Sequence, residues 1–205
     1  MASVLHVPAQ SAIRRVRQIQ AITIVWMTVE AGVSLSAAWR AHSPALVAFG
    51  GDSAIELLSA ATVLWRFRSR DLQERAEKNA SYLTGALLFM LAAFVVAASA
   101  MAMLGYSEPK PSYLGIGILM AAIAIMPWLA WEKRKLSEVT GSTALKADAT
   151  ESALCAYLSL VTLAGMAVNA IWHLAWADPV TALAVTPLIV IEGRKTVRGN
   201  PCGCC

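Results

Sequence analysis

The sequence predicts an all-α membrane protein of six transmembrane helices with both termini in the cytoplasm, and three observations carry that prediction. First, 58% of the 205 residues are hydrophobic and only 15% are charged. A typical soluble domain has about 45–50% apolar and about 25% charged residues. Second, the chain divides into six apolar stretches, most of them near the roughly 20 residues a helix needs to cross about 30 Å of hydrocarbon. Third, the connections between those stretches alternate between rich and poor in Lys and Arg. Mean hydropathy is +0.58, the opposite of the low hydrophobicity and high net charge that keep chains disordered.

The first stretch, Ile19–Trp39, follows Arg14, Arg15 and Arg17. A basic segment ahead of an apolar one resembles a secretory signal, but this run exceeds the about 7–15 residues of a signal core and reads as a retained span. The second is Pro44–Trp65 and the third Ala80–Leu104. The turn Ser107-Glu108-Pro109-Lys110-Pro111 separates the third from the fourth, Ser112–Trp131. The fifth is Leu145–Val168. The sixth, about Pro179–Ile191 after the turn signal Asp178-Pro179, is the shortest and contains Pro187. It spans only if it begins near Ala177 and runs to about Arg194. The expected organisation is a basic N-terminal tail (1–18), one transmembrane domain (19–194) and a Cys-rich cytoplasmic tail (195–205).

Charge placement gives the orientation. Arg14, Arg15 and Arg17 precede span one. Arg66, Arg68, Arg70, Arg75 and Lys78 lie between spans two and three. Lys133, Arg134, Lys135 and Lys146 lie between spans four and five, and Arg194, Lys195 and Arg198 follow span six. These are fifteen of the seventeen basic residues; Arg40 and Lys110 fall on the other side. The positive-inside rule then places both termini in the cytoplasm. In a chain this apolar, the net charge of +4 marks cytoplasmic loops rather than a nucleic-acid surface. Trp39, Trp65, Trp128, Trp131, Trp172 and Trp176 fall near span ends, where amphipathic rings prefer the headgroup level; Trp26 lies inside span one.

Acidic residues in the loops, among them Asp71, Glu74, Glu77, Glu108, Glu132 and Glu138, need only solvation. Glu192, near the inner end of span six, can snorkel towards Arg194 or Lys195. Those inside the spans need another reason, because a charge at the bilayer centre costs at least about 2.5–3.5 kcal/mol and usually faces a polar pathway or a partner. Asp52 and Glu56 stand at i, i+4 in span two and share one helix face. Glu151 and Cys155 have the same spacing in span five, with Asp148 three residues before Glu151 on that face. Glu30 lies in the middle of span one. Like charges at i, i+4 repel, so protonation of one or a bound cation must offset them. Two helices offering two ligands each make a four-ligand site of oxygen and sulfur, a set that suits Zn²⁺ and related divalent metals, the thiol favouring softer ions such as Cd²⁺.

The four cysteines form no spaced disulfide framework. Cys155 is intramembrane, and Cys202, Cys204 and Cys205 crowd the last four residues, where thiolates could gather soft metal ions or carry S-acylation. His6, His42 and His173 are dispersed. There is no His-Glu-x-x-His, Gly-x-Ser-x-Gly or Walker sequence, so the chain does not read as an enzyme.

At Ala48-Phe49-Gly50-Gly51-Asp52-Ser53-Ala54-Ile55-Glu56 and Leu145-Lys146-Ala147-Asp148-Ala149-Thr150-Glu151, the chain resembles the cation diffusion facilitator (cation efflux) family of divalent-metal transporters. The likeness extends to the Asp178-Pro179 entry of span six and reaches about Arg198. The resemblance implies a metal site between the second and fifth helices. Asp52 and Glu56 fit the family's acid-x-x-x-acid pair, whereas Glu151 and Cys155 stand where the family has His-x-x-x-Asp. It resembles the short bacterial branch that lacks the C-terminal cytosolic domain. Dimerisation would then use membrane helices, and Gly85, Ala92, Ala93, Ala97 and Ala98 would permit close packing.

The resulting expectation is a multi-pass inner-membrane exporter of a divalent transition or heavy metal, driven by proton antiport. Asp52, Glu56, Glu151 and Cys155 are its metal ligands. Asp148, Cys202, Cys204 and Cys205 are entry or auxiliary ligands, and Glu30 is a proton-coupling residue. The expected partners are the lipid bilayer, the metal ion and protons, with no nucleic acid and no prosthetic group. The competing readings are a proton-coupled exporter of small organic cations working through Glu30 and Trp26, and a membrane metal sensor or scaffold without flux.

Overall fold

A computed structural model describes residues 10–66, 73–141 and 143–197. Six helices follow one another: α1 (Gln10–Ala41), α2 (Pro44–Arg66), α3 (Gln73–Met103), α4 (Tyr113–Thr140), α5 (Thr143–Trp172) and α6 (Ala177–Val197). No strand occurs among the described residues. Among the described residues, four stretches are long and apolar enough to cross a membrane: Arg14–Ala41, Tyr82–Met103, Tyr113–Thr140 and Asp148–Trp172. The shorter α6 carries Asp178, Glu192, Arg194 and Lys195, and α2 carries Asp52 and Glu56 within a largely apolar helix.

Several helices outrun the apolar stretches that predict them. Residues 10–18 are helical and form the first turns of α1. The fourth helix continues nine residues past Trp131 and stops at Gly141, which adopts the left-handed conformation (φ 64°) that glycine takes without strain. Lys133, Arg134 and Lys135 are therefore helical residues, not loop residues. Asp178 and Pro179 belong to the first turn of α6, where a proline costs no hydrogen bond. That helix runs past Arg194 through Pro187.

The outside of the bundle is apolar and so is much of the inside. Val25, Phe94, Leu104, Ile171 and Trp172 are exposed, while Leu46, Phe49, Leu119, Leu129 and Ile189 are fully buried. An apolar exterior on helices that satisfy their own backbone is what a lipid environment requires. Packing pairs α4 with α5, α3 with α6 and α1 with α2, and α2 also meets α3, α5 and α6.

Glycines set how closely α2 and α3 approach their neighbours. A Cβ on Gly50 would lie 2.8 Å from Ser34 Cβ of α1, and one on Gly51 would lie 2.6 Å from Leu91 Cδ1 of α3. The Gly50-Gly51 pair thus wedges α2 between two helices immediately before Asp52. Gly85 of α3 packs onto Val197 and the Gly193 carbonyl of α6, and Ala92 is buried. Gly85 and Ala92 are consumed within the chain, whereas Ala93 and Ala97 face outward.

At the opposite end from Arg66, Asp178 fastens α6 to the start of α2. Its carboxylate accepts from the Ser43 hydroxyl and from Ala45 N at 3.2 Å, and Ser43 Oγ accepts from Leu46 N at 3.1 Å. Two otherwise unsatisfied N–H groups of the first turn of α2 are met this way.

Candidate functional site

The most fully bonded acid of the interior is Glu30 of α1, which is completely buried. Its Oε2 accepts from Trp26 Nε1 at 2.7 Å, one turn earlier on the same helix. Its Oε1 accepts from Ser53 Oγ of α2 at 2.6 Å and from the Cys155 thiol of α5 at 3.4 Å. One carboxylate thereby joins three helices. An unpaired carboxylate here would carry the full cost of desolvation, and the three donors offset it.

Beside Ser53, Asp52 is 4% exposed. The acids Glu192 of α6, Glu151 of α5 and Glu30 lie within electrostatic reach of it. Glu56, one turn further along α2 and partly buried, faces Asp52, Glu151, Glu192 and Glu30. Glu151 is exposed and has Asp148, Glu192 and Lys133 around it. Cys155 is 1% exposed. The four residues expected as ligands thus occupy facing sides of α2 and α5, but they are not drawn into one coordination shell. Among the described residues, no group of three or more His, Cys, Asp or Glu is placed to hold a metal ion. The reason is local: the Cys155 thiol is turned to Glu30, while Glu151 stands a turn away, open to the surroundings.

Asp148, expected at the entry, has both oxygens engaged. Oδ1 accepts from Lys133 Nζ of α4 at 2.8 Å, and Oδ2 accepts from Gln20 Nε2 of α1 at 2.6 Å. Lys133 is fully buried and also donates to Ser152 Oγ of α5 at 2.9 Å. Glu132 is buried too, with Arg15 of α1 3.3 Å away. Neither residue is the solvated loop charge that the sequence suggests, because α4 carries both into the bundle. Cys202, Cys204 and Cys205 lie outside the described residues.

Reasoning from sequence misses Glu192, Lys133 and Ser53 as neighbours of the site. Glu192 sits in the weakest apolar stretch, beside Arg194 and Lys195, which supply an ordinary explanation for it. For Lys133, extending the fourth stretch to the glycine at 141 would have put it on a helix. Ser53 follows directly on Asp52 and has no charge to draw attention.

A family model described as the cation efflux transmembrane domain matches residues 21–200. No curated protein matches the chain.

Proposed function

The chain belongs to the cation efflux family, and from that premise we propose that it exports a divalent transition-metal ion from the cytoplasm in exchange for protons. The ion passes between α2 and α5. All six helices cross the bilayer of the cell membrane, with both termini on the cytoplasmic side. The observation that carries this reading is that carboxylates from different helices, Asp52 and Glu56 of α2, Glu151 of α5 and Glu192 of α6, lie within electrostatic reach of one another in a bundle whose outside is apolar. Acids gathered this way repel one another unless cations or protons occupy them, and a transporter needs both occupants in turn.

Asp52, Glu56, Glu151 and Cys155 supply the ligands. Closing them around an ion requires Cys155 to leave Glu30 and Glu151 to turn inward. Ligands lose protons when metal binds, so metal loading from the cytoplasm expels protons and reprotonation from outside releases the metal. Glu30 accepts a hydrogen bond from the Cys155 thiol, which suits it to follow the thiol's state. The oxygen–sulfur set favours Zn²⁺ and Cd²⁺.

The test is proton movement driven by a Zn²⁺ gradient in proteoliposomes of the full chain. Asp52→Asn should abolish it, and Cys155→Ser should retain Zn²⁺ flux while lowering the preference for Cd²⁺ over Zn²⁺ by about tenfold. Unchanged proton movement in Asp52→Asn would show that the site is misassigned.

A further inference from the structure

The ion pair between Lys133 and Asp148 has no place in the scheme above. A buried ammonium is costly to desolvate, and a buried ion pair is often no more stabilising than well-packed apolar side chains. Yet Lys133 is fully enclosed and donates to Asp148 at 2.8 Å and to Ser152 at 2.9 Å. Gln20 closes the other oxygen of Asp148, so α1, α4 and α5 converge on one carboxylate. The neighbouring Arg15–Glu132 pair joins α1 to α4 again. Lys133 also lies within electrostatic reach of Glu151, which in turn neighbours Glu192, Asp52 and Glu56.

We propose that Lys133 is a tethered counter-cation: it occupies the approach to the α2/α5 acids when no metal is bound, and an entering divalent ion exchanges with it at Asp148. This inference rests on the export reading for its functional meaning. The argument is one of charge. A fixed positive group at the head of a row of acids lowers their mutual repulsion in the empty protein. A divalent ion carries twice that charge and can take two carboxylates at once, Asp148 and Glu151 standing three residues apart on one helix face. When the ion takes Asp148, the ammonium keeps only Ser152 and the junction of α1, α4 and α5 at that carboxylate loosens, while the broader α4–α5 packing remains. Entry of the ion and loosening of the α1–α4–α5 junction are then one event, and Lys133 is a positioning and selectivity residue that never binds the cargo.

Removing the charge should therefore tighten metal binding. Lys133→Gln keeps a donor for Asp148 and Ser152 without the charge, and Lys133→Met removes both; Lys133→Arg keeps the charge. With Zn²⁺ and Cd²⁺ as probes in proteoliposomes of the full chain, Lys133→Gln and Lys133→Met should lower KM at least about fivefold, and Lys133→Arg should stay within about twofold of wild type. In detergent, Zn²⁺ should raise the Tm of Lys133→Gln more than that of wild type, and the double variant Lys133→Met/Asp148→Asn should lose that excess. A merely structural pair predicts a lower Tm with KM unchanged. Equal KM in Lys133→Gln and wild type, or equal stabilisation by Zn²⁺, overturns the proposal. Should neither ion cross with wild-type protein, the export reading fails instead, and the Tm comparison still decides the role of Lys133.

Discussion

The Cys155 thiol and the Ser53 hydroxyl converge on the same atom, Oε1 of Glu30, from α5 and α2, at 3.4 and 2.6 Å. The second oxygen of that carboxylate takes the Trp26 indole. Glu30 therefore works as a joint between the two helices that carry the candidate ligands and the helix beside them. Any motion that separates α2 from α5 must break or carry along one of these bonds.

That arrangement distinguishes Glu30→Gln from a harmless isostere. A carboxylate accepts at both oxygens, but an amide accepts at one and donates at the other. Whichever way the amide is turned, at least one of the buried donors Trp26, Ser53 or Cys155 meets an N–H₂ group. The expected cost is about 1–3 kcal/mol, read as a lowered Tm in detergent. Because Ser53 and Cys155 share Oε1, the amide oxygen should settle there and the clash should fall on Trp26. Trp26→Phe in the Glu30→Gln background should then recover part of the loss, a coupling that a double-mutant cycle measures. Additive losses would show that the indole is not the group left facing the amide.

The cap on α2 leads to a second expectation. Asp178 satisfies Ser43 and Ala45 N from a different helix, so Asp178→Ala leaves two buried donors without their acceptor and unties α6 from α2. Loss of stability should be about 1–3 kcal/mol. Ser43→Ala removes the bond to Leu46 N as well, but leaves Asp178 with Ala45 N, and should cost less than Asp178→Ala. Thermal unfolding of the two variants gives the order directly; the reverse order would mean that Ser43, not Asp178, holds the cap.

How much of this could be read from the sequence depends on what kind of signal each residue gives. The i, i+4 spacing of Asp52 and Glu56 is a local property and survives into the structure, because α2 is continuous from Pro44 to Arg66. Positions of the apolar stretches also survive, since each apolar run is a helix. Helix ends do not, because polar residues at the margins, such as Glu132 and Lys133, carry no apolar signal yet continue the same hydrogen-bonded helix to Gly141. Side-chain pairing is least legible. Asp148 finds its partners 15 and 128 residues away in the chain, and no spacing rule links Gln20 to Asp148. The same holds for Gly85, whose small size reads as an invitation to a second chain until α6 is seen against it.

Glu192 gives the most direct check on whether charge reaches the site from a third helix. It lies within electrostatic reach of Asp52, Glu56 and Glu151, and Lys195 acts on it in turn. If the acids act together on a divalent ion, Glu192→Gln removes attraction without removing one of the four proposed ligands. KM for Zn²⁺ should rise about three- to tenfold with maximal flux retained, and the difference from wild type should shrink as ionic strength rises, because charges separated by water and protein are screened over about 8–10 Å. Glu192→Asp, which keeps the charge, should stay near wild type. A loss of maximal flux at unchanged KM would instead place Glu192 among the groups that move, or coordinate the ion directly during transport. No effect in either variant would mean that its charge is spent on Lys195 and that the pathway is lined by α2 and α5 alone.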